Sequence, residues 1–211
     1  MYRCEARNVS TFIRHLAVNY VSRGYFFYVQ AEIPAHKDPA NVDAKIIEKY
    51  GLDISKWQRA RQRQKGRAGI QYLRCRRRFV IIGTHGEHHF FREEGRAVFD
   101  IRRVPLKFGG YSISYRLGWR GKWFVSVRIE YARFLQLKEY LLDRARMAPV
   151  DDLVSEFRSF SFPPFAPVRW QVFFLVRRMN ELRRVAGREI IPLAAVVPNW
   201  SGAGGLRSEA K

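Results

Sequence analysis

Two stretches of the chain carry residue types whose spacing could do chemistry. The first, residues 84–94, reads THGEHHFFREE and holds three of the five histidines. Imidazole nitrogens and carboxylates ligate divalent metals, so a metal-assisted reaction is the chemistry that this stretch would support. Its candidate catalytic residues are His85, His88, His89 and Glu93. We nevertheless predict no resident metal, because one loop would supply every ligand and its spacing matches no zinc motif of fixed geometry.

The second stretch is rich in arginine and free of acidic residues. No Asp or Glu occurs between Asp53 and Glu87, yet the window holds ten positive charges. These are Lys56, Arg59, Arg61, Arg63, Lys65, Arg67, Arg74, Arg76, Arg77 and Arg78. On a helix, Arg59, Arg63 and Arg67 would lie one above another, and like charges at that spacing repel by a few tenths of a kcal/mol per pair. An anion lying across them would offset this repulsion. The planar guanidinium of arginine donates paired hydrogen bonds to phosphate oxygens, so a phosphate is a suitable anion.

The composition of the whole chain indicates what kind of anion this would be. The 211 residues include 39 Lys and Arg against 19 Asp and Glu, a net charge of +20. Hydrophobic residues make up 47% and aromatic residues 15%, so the charge must lie on a folded body, which excludes histone-like tails and polybasic linkers. We therefore expect a nucleic acid, DNA or RNA, as the partner, with the ten cations contacting phosphates. A ribonucleoprotein or another protein is a further expected partner.

Aromatic residues are interleaved with the charge. Single strands are held by base stacking on exposed rings beside a basic groove. The stacking candidates are Tyr72, inside the acid-free window, and Trp119, in a short glycine-bearing hairpin loop next to Arg120, which joins the predicted binding set. A weaker basic patch, moderated by Glu181 and Glu189, is predicted on the final helix. Its arginines lie off the apolar stripe; they are Arg169, Arg177, Arg178, Arg183, Arg184 and Arg188.

The alternative function is a metal-dependent nuclease or nickase of a mobile element, with a His/Glu site at residues 85–94. A divalent metal is the only cofactor expected, and only under this alternative. In rolling-circle nickases, paired histidines flank one hydrophobic residue on a strand, so that both face the same side. Here His85 and His88 are separated by two residues and His88 and His89 are adjacent, so neither pair shares a strand face. The chain also lacks a P-loop, a Rossmann glycine pattern and a serine nucleophile elbow, and binding is therefore favoured over catalysis.

The elements that must position these residues are of mixed type. Helical spacing of apolar residues predicts a helix from Val9 to Tyr20, short helices after Asp38 and Asp53, and a helical last third over residues 130–190. Alternating and short apolar runs predict strands at 25–33, 70–75, 79–84, 98–104, 111–116 and 123–129. We predict an α+β fold, in which a mainly antiparallel sheet of five or six strands is packed by the N-terminal and C-terminal helices. It would form one compact domain over residues 1–198, followed by a disordered tail over 199–211.

The cysteines and apolar runs indicate the compartment. Two cysteines are too few for a disulfide framework in a chain with its own core, which favours a reducing interior. The longest apolar runs reach about a quarter of the roughly 20 residues that a membrane span needs. We expect no membrane span and a cytoplasmic or nucleoid-associated protein.

Overall fold

The computed structural model describes residues 2–160 and 162–196, so the predicted tail over 199–211 lies outside the described residues. Within the chain, contacts separate two compact units, 1–126 and 127–211. The single domain over 1–198 stays a prediction.

The first unit begins with a short helix and continues with alternating strands and helices. Its helices are α1 (Val9–Arg14), α2 (Pro39–Lys49), α3 (Lys56–Gln64) and α4 (His89–Glu94), and a π-helical segment (His15–Tyr20) and a 3-10 turn (Val21–Arg23) extend α1. Its strands are β1 (Tyr25–Glu32), β2 (Ile70–Cys75), β3 (Arg78–Thr84), β4 (Phe99–Asp100), β5 (Leu106–Phe108), β6 (Tyr111–Leu117) and β7 (Trp123–Ile129), the last of which crosses into the second unit.

The strands form two antiparallel sheets rather than one. The four-stranded sheet has the order β2-β3-β1-β4, and the three-stranded sheet has the order β5-β6-β7. The α+β class is thereby confirmed, whereas the prediction of one sheet of five or six strands is corrected. The reason lies in the predicted strand at 98–104: only Phe99 and Asp100 pair with β1, and a turn through residues 101–104 then leads to the other sheet.

One face of the four-stranded sheet carries the core that supports the basic segment. Tyr72 of β2 is the register partner of Ile81 of β3, which in turn pairs with Val29 of β1, so the three side chains lie side by side on this face. Ile70 lies two residues before Tyr72 on β2 and therefore shares the same face. They pack with Tyr50 and Leu52, which follow α2, and with Phe90 of α4. Both faces of β2 are buried along its whole length, so β2 is a rigid base for the segments that join its ends.

The second unit is helical, and its helices are α5 (Tyr131–Met147), α6 (Val150–Ser159), α7 (Ala166–Val185) and α8 (Leu193–Val196). The apolar stripe of α7 is buried at Val168, Val172, Leu175 and Met179, as the sequence spacing predicts. Among the described residues, no helix is long and apolar enough to span a membrane.

Candidate nucleic-acid interface

The outer edge of β2 is covered by the N-terminal segment, residues 2–7. Backbone hydrogen bonds join Ala6 N–H to the Arg74 carbonyl and Arg74 N–H to the Cys4 carbonyl, both at 2.7 Å, and the pairing at Glu5 is parallel. The segment alternates as a strand does, with Cys4 and Ala6 buried and Arg3, Glu5 and Arg7 exposed. The N-terminal segment is therefore the outermost strand at this edge, and its exposed side chains are charged.

A cluster of cations lies where α3 ends and β2 begins. We call Arg61, Lys65 and Arg67 the helix-end cluster. Arg61 and Lys65 are four residues apart and so share one helix face, and Arg67 N–H bonds back to the Gln62 carbonyl at 3.1 Å, which folds it against the helix end. The helix dipole favours cations at this end, which offsets part of their mutual repulsion.

The loop that follows β3 holds the helix-end cluster in place. Ala68 N–H bonds to the Glu87 carbonyl at 3.0 Å, and Glu87 N–H bonds to the Gly66 carbonyl at 3.1 Å. Gly86, at φ +133°, permits this close approach, since a Cβ there would lie 2.6 Å from the Gly66 carbonyl oxygen. The position of Arg67 is thus set by backbone contacts on both sides.

A second group of cations lies at the opposite end of β2, in the turn to β3. We call Arg76 and Arg78 the turn cluster; both are exposed, and Arg76 adopts the left-handed conformation at φ +57°. The Arg78 guanidinium lies 5.0 Å from the centre of the Phe108 ring. Arg77, between them, is half-buried, donating from Nε to the Ile33 carbonyl at 3.0 Å and from Nη2 to the Lys37 carbonyl at 2.7 Å. Arg77 therefore fixes the turn rather than reaching outward.

Two residues of the predicted binding set are buried, and the structure corrects their assignment. Arg74 donates from Nε to both carboxylate oxygens of Asp43, each at 2.9 Å, and from Nη1 to Glu5 at 3.1 Å. Tyr72 is fully buried, and its hydroxyl donates to Asp43 at 2.5 Å. Neither side chain is placed to meet an external partner. The alternation of β2 already carried this signal, because Arg74 shares a strand face with Ile70 and Tyr72.

The remaining cations of the window are partly engaged. Lys56 is the first residue of α3. Arg59 donates to the Ile54 carbonyl at 3.2 Å, and Arg63 donates to the Tyr25 hydroxyl at 3.2 Å with its guanidinium 5.6 Å from the Tyr25 ring centre. These bonds leave both positive charges unneutralised while holding α3 to the unit.

Two tryptophans stand out from the surface near exposed cations. Trp119, at the hairpin tip, is 89% exposed, and the Arg120 guanidinium lies 4.5 Å from its ring centre. Trp57 is 78% exposed and lies four and eight residues before Arg61 and Lys65, on the same face of α3. The sequence-based binding set omitted Trp57, Arg3 and Arg7, although helical spacing on α3 and alternation at the N-terminus point to all three.

The predicted basic patch on the last helix is partly neutralised or buried, while Arg169, Arg184 and Arg188 form no ion pair within the described residues. Arg178 bonds to Glu181 at 2.5 Å, and Arg177 lies 3.7 Å from the same carboxylate. Arg183 is 2% exposed and donates from Nη1 to the carbonyls of Ala145 and Ala148, at 3.1 and 2.8 Å, so it caps the end of α5.

The histidines of the 85–94 stretch serve the local structure. His88 is the N-cap of α4, where its Nδ1 accepts a hydrogen bond from Phe90 N–H at 3.1 Å, and burial lowers the pKa of its imidazole. A neutral ring that accepts through Nδ1 carries its proton on Nε2 and has no lone pair left for a metal. His89 donates from Nε2 to the Lys49 carbonyl at 2.8 Å, and His85 is exposed.

The carboxylates of this stretch are also engaged. Lys49 lies 2.8 Å from Glu93, and its hydrogen bond lowers the pKa of the Glu93 carboxyl, while Glu94 accepts from the Tyr50 hydroxyl. An open groove of about 870 Å³ lies alongside, and Arg67, Glu87, His88 and Arg92 are part of its lining. Within residues 2–160 and 162–196, no group of three His, Cys, Asp or Glu side chains is arranged to hold a metal ion.

Comparison with known proteins adds no relative to this picture: no protein-family model, no curated protein and no solved structure matches the chain.

Proposed function

We propose that the protein binds nucleic acid along the covered edge of β2, mainly through phosphate contacts. The observation that supports this is a line of exposed cations without carboxylate partners. We call this line the basic edge; its members are Arg61, Lys65, Arg67, Arg3, Arg7, Arg76 and Arg78. Throughout the described part of the chain, no ion pair to any of the seven is found. Two carboxylates lie beside them: Glu5 is paired with Arg74, and Glu87 is a backbone bridge partner of Arg67.

Some cations elsewhere in the protein are paired: Lys49 with Glu93, Arg102 with Asp100, and Arg178 with Glu181. Other exposed cations, Arg103 and Arg184 among them, form no ion pair within the described residues. What supports the proposal is therefore the grouping of seven such cations along one edge. Such a single-sign stripe repels itself and attracts a polyanion.

The dimensions of the edge suit a phosphate backbone. β2 has six residues, so the helix-end and turn clusters lie about 20 Å apart at 3.3 Å per residue. Arg3 and Arg7 lie between them on the N-terminal segment, beside the middle and the end of β2. Phosphates along one strand of B-DNA rise by about 3.4 Å per nucleotide, so the edge spans about six of them.

The test is an affinity comparison between matched triple variants. One replaces Arg3, Arg61 and Arg67 by Gln, and the control replaces Arg177, Arg178 and Arg184 of α7 by Gln, which removes the same charge from the helical unit. Each lost phosphate contact should weaken binding at 0.1 M salt by about eightfold on duplex DNA and about fivefold on a single strand, the values that slope changes of about 0.9 and about 0.7 imply. Anisotropy of labelled single-stranded DNA, duplex DNA and RNA measures this. Equal losses in the two variants would show that only overall charge matters.

The same three substrates, incubated with and without Mg²⁺ or Mn²⁺, test the nuclease alternative. No contact in the 85–94 stretch specifically favours that alternative, because His88 and His89 are engaged with backbone groups. Binding without cleavage supports the proposal. Metal-dependent cleavage that is lost in the His88→Ala variant would contradict the binding proposal and support the nuclease alternative.

A further inference from the structure

A second surface, an aromatic cleft, lies at the other edge of the four-stranded sheet. The strand order places β4 at one edge and β2 at the opposite edge, so this cleft is separate from the basic edge. Its volume is about 590 Å³, within the range of small-molecule sites. The lining consists of Phe26, Asp100, Arg102, Arg103, Tyr115 and Trp123.

Three of these residues present neighbouring rings. Tyr115 and Trp123 are stacked, with an interplanar angle of 13° and ring centres 5.5 Å apart. The Phe26 ring centre lies 4.7 Å from that of Tyr115, at an interplanar angle of 34°. Trp123 is 50% exposed, so one side of the stack is open to solvent. An open indole beside a parallel ring is a surface on which a further flat group can stack.

The charged residues give the cleft a positive balance. Arg102 donates to Asp100 from Nε and Nη2, at 2.9 and 2.7 Å, and the Arg102 backbone N–H bonds to the same carboxylate at 2.9 Å. These bonds occupy the carboxylate and hold the guanidinium 4.8 Å from the Phe26 ring centre. Arg103 is exposed, and in the described parts of the chain no carboxylate forms an ion pair with it.

We propose that this cleft binds an unstacked nucleobase of a single-stranded nucleic acid. The base stacks on the open face of Trp123, and Arg103 contacts the phosphate beside it. Charge complementarity favours this occupant, since Arg103, which forms no ion pair within the described residues, puts a positive charge beside the stacking surface, where the phosphate of a stacked nucleotide would lie. Bases in a duplex are already stacked on both sides, so the cleft selects single strands. Because the Asp100 oxygens are occupied by Arg102, the cleft does not discriminate strongly among bases.

The experiment separates base stacking from phosphate binding. The full-length protein is titrated at 0.1 M salt into two labelled 12-nucleotide strands, one of thymidines and one with the same sugar-phosphate backbone but no bases. The wild type should prefer the thymidine strand by about 5- to 150-fold, the range expected for stacking one base. Trp123→Ala should remove this preference and Trp123→Phe should keep most of it. Trp170→Ala, at an exposed tryptophan of α7, is the matched control and should change nothing.

The outcomes distinguish this proposal from the basic edge. Equal affinity of the wild type for both strands would contradict base binding in the cleft but not phosphate binding at the basic edge. A preference for the thymidine strand that persists in a correctly folded Trp123→Ala variant would have the same consequence. No binding to either strand overturns the cleft, and it overturns the basic edge as well if duplex DNA and RNA also fail to bind. Near-ultraviolet circular dichroism and the thermal midpoint show whether each variant is folded.

Discussion

Arg74 and Arg76 are two residues apart in the arginine-rich segment, yet the structure predicts opposite consequences for their removal. Arg74 is buried against Asp43, with side-chain exposures of 8% and 11%. Arg76 is exposed in the turn and forms no side-chain ion pair within the described residues. Arg74→Ala should therefore lower stability, whereas Arg76→Ala should lower affinity for nucleic acid.

The magnitude for Arg74 follows from what its removal leaves behind. The Asp43 carboxylate would remain buried with only the Tyr72 hydroxyl, at 2.5 Å, and the Cys4 thiol, at 3.3 Å, as donors. Removing one partner of a buried ion pair costs about 3–5 kcal/mol, and because two donors remain we expect the lower end, about 3 kcal/mol. For a protein of this size that lowers Tm by about 6–12 °C. Arg76→Ala, at an exposed site, should change stability by less than about 0.5 kcal/mol.

Urea denaturation followed by circular dichroism measures the stability of both variants, and anisotropy of a labelled oligonucleotide measures affinity. We expect Arg74→Ala to lose stability and keep its affinity, and Arg76→Ala to lose affinity and keep its stability. An Arg74→Ala variant as stable as the wild type but weaker in binding would refute the buried ion pair and return Arg74 to the binding set.

Three further predictions concern buried or capping groups. Burial, and then the hydrogen bond to Asp43, raises the pKa of the Cys4 thiol from 9.0 to about 12. Its contribution to stability is therefore complete below pH 9 and lost as the pH rises to 12, so Cys4→Ala should flatten the alkaline decline of the urea midpoint. Arg183→Met leaves two carbonyls at the end of α5 without a donor, and should lower stability by about 1–3 kcal/mol in thermal unfolding without changing affinity. His88→Ala removes the N-cap of α4 at a cost of about 1 kcal/mol, and His88→Asn should restore most of it; a fully stable Ala variant would contradict the capping role.

Local patterns in the sequence were sufficient to predict most elements. The strands β2 and β7 have the predicted bounds. The helix predicted after Asp53 is present as α3, which begins slightly later, after Ser55, whose side chain accepts from Gln58 N–H in a capping box. The division into two sheets depends instead on which strands pair, which is a long-range property. The short β4 has only two paired residues, and no local pattern distinguishes it from a longer strand.

The binding set shows the same limit. The sequence predicted an unneutralised charge at Arg74, because its partner Asp43 is 31 residues away along the chain and lies outside the acid-free window. The same prediction omitted Arg3 and Arg7, which lie more than 60 residues from β2 along the chain but beside it in space. No strand was predicted over residues 2–7, and although their alternation of buried and exposed side chains is typical of one, only the fold shows which edge the segment covers.

The central claim, that the basic edge contacts phosphates, is tested most directly by the dependence of affinity on salt. The measurement is the slope of log K against log salt concentration for the wild type and for a variant with Gln at Arg3, Arg7, Arg61, Arg67 and Arg76. If all five contact phosphates, the slope should become shallower by about 4.5 on duplex DNA or about 3.5 on a single strand. A slope equal to that of the wild type would contradict the account.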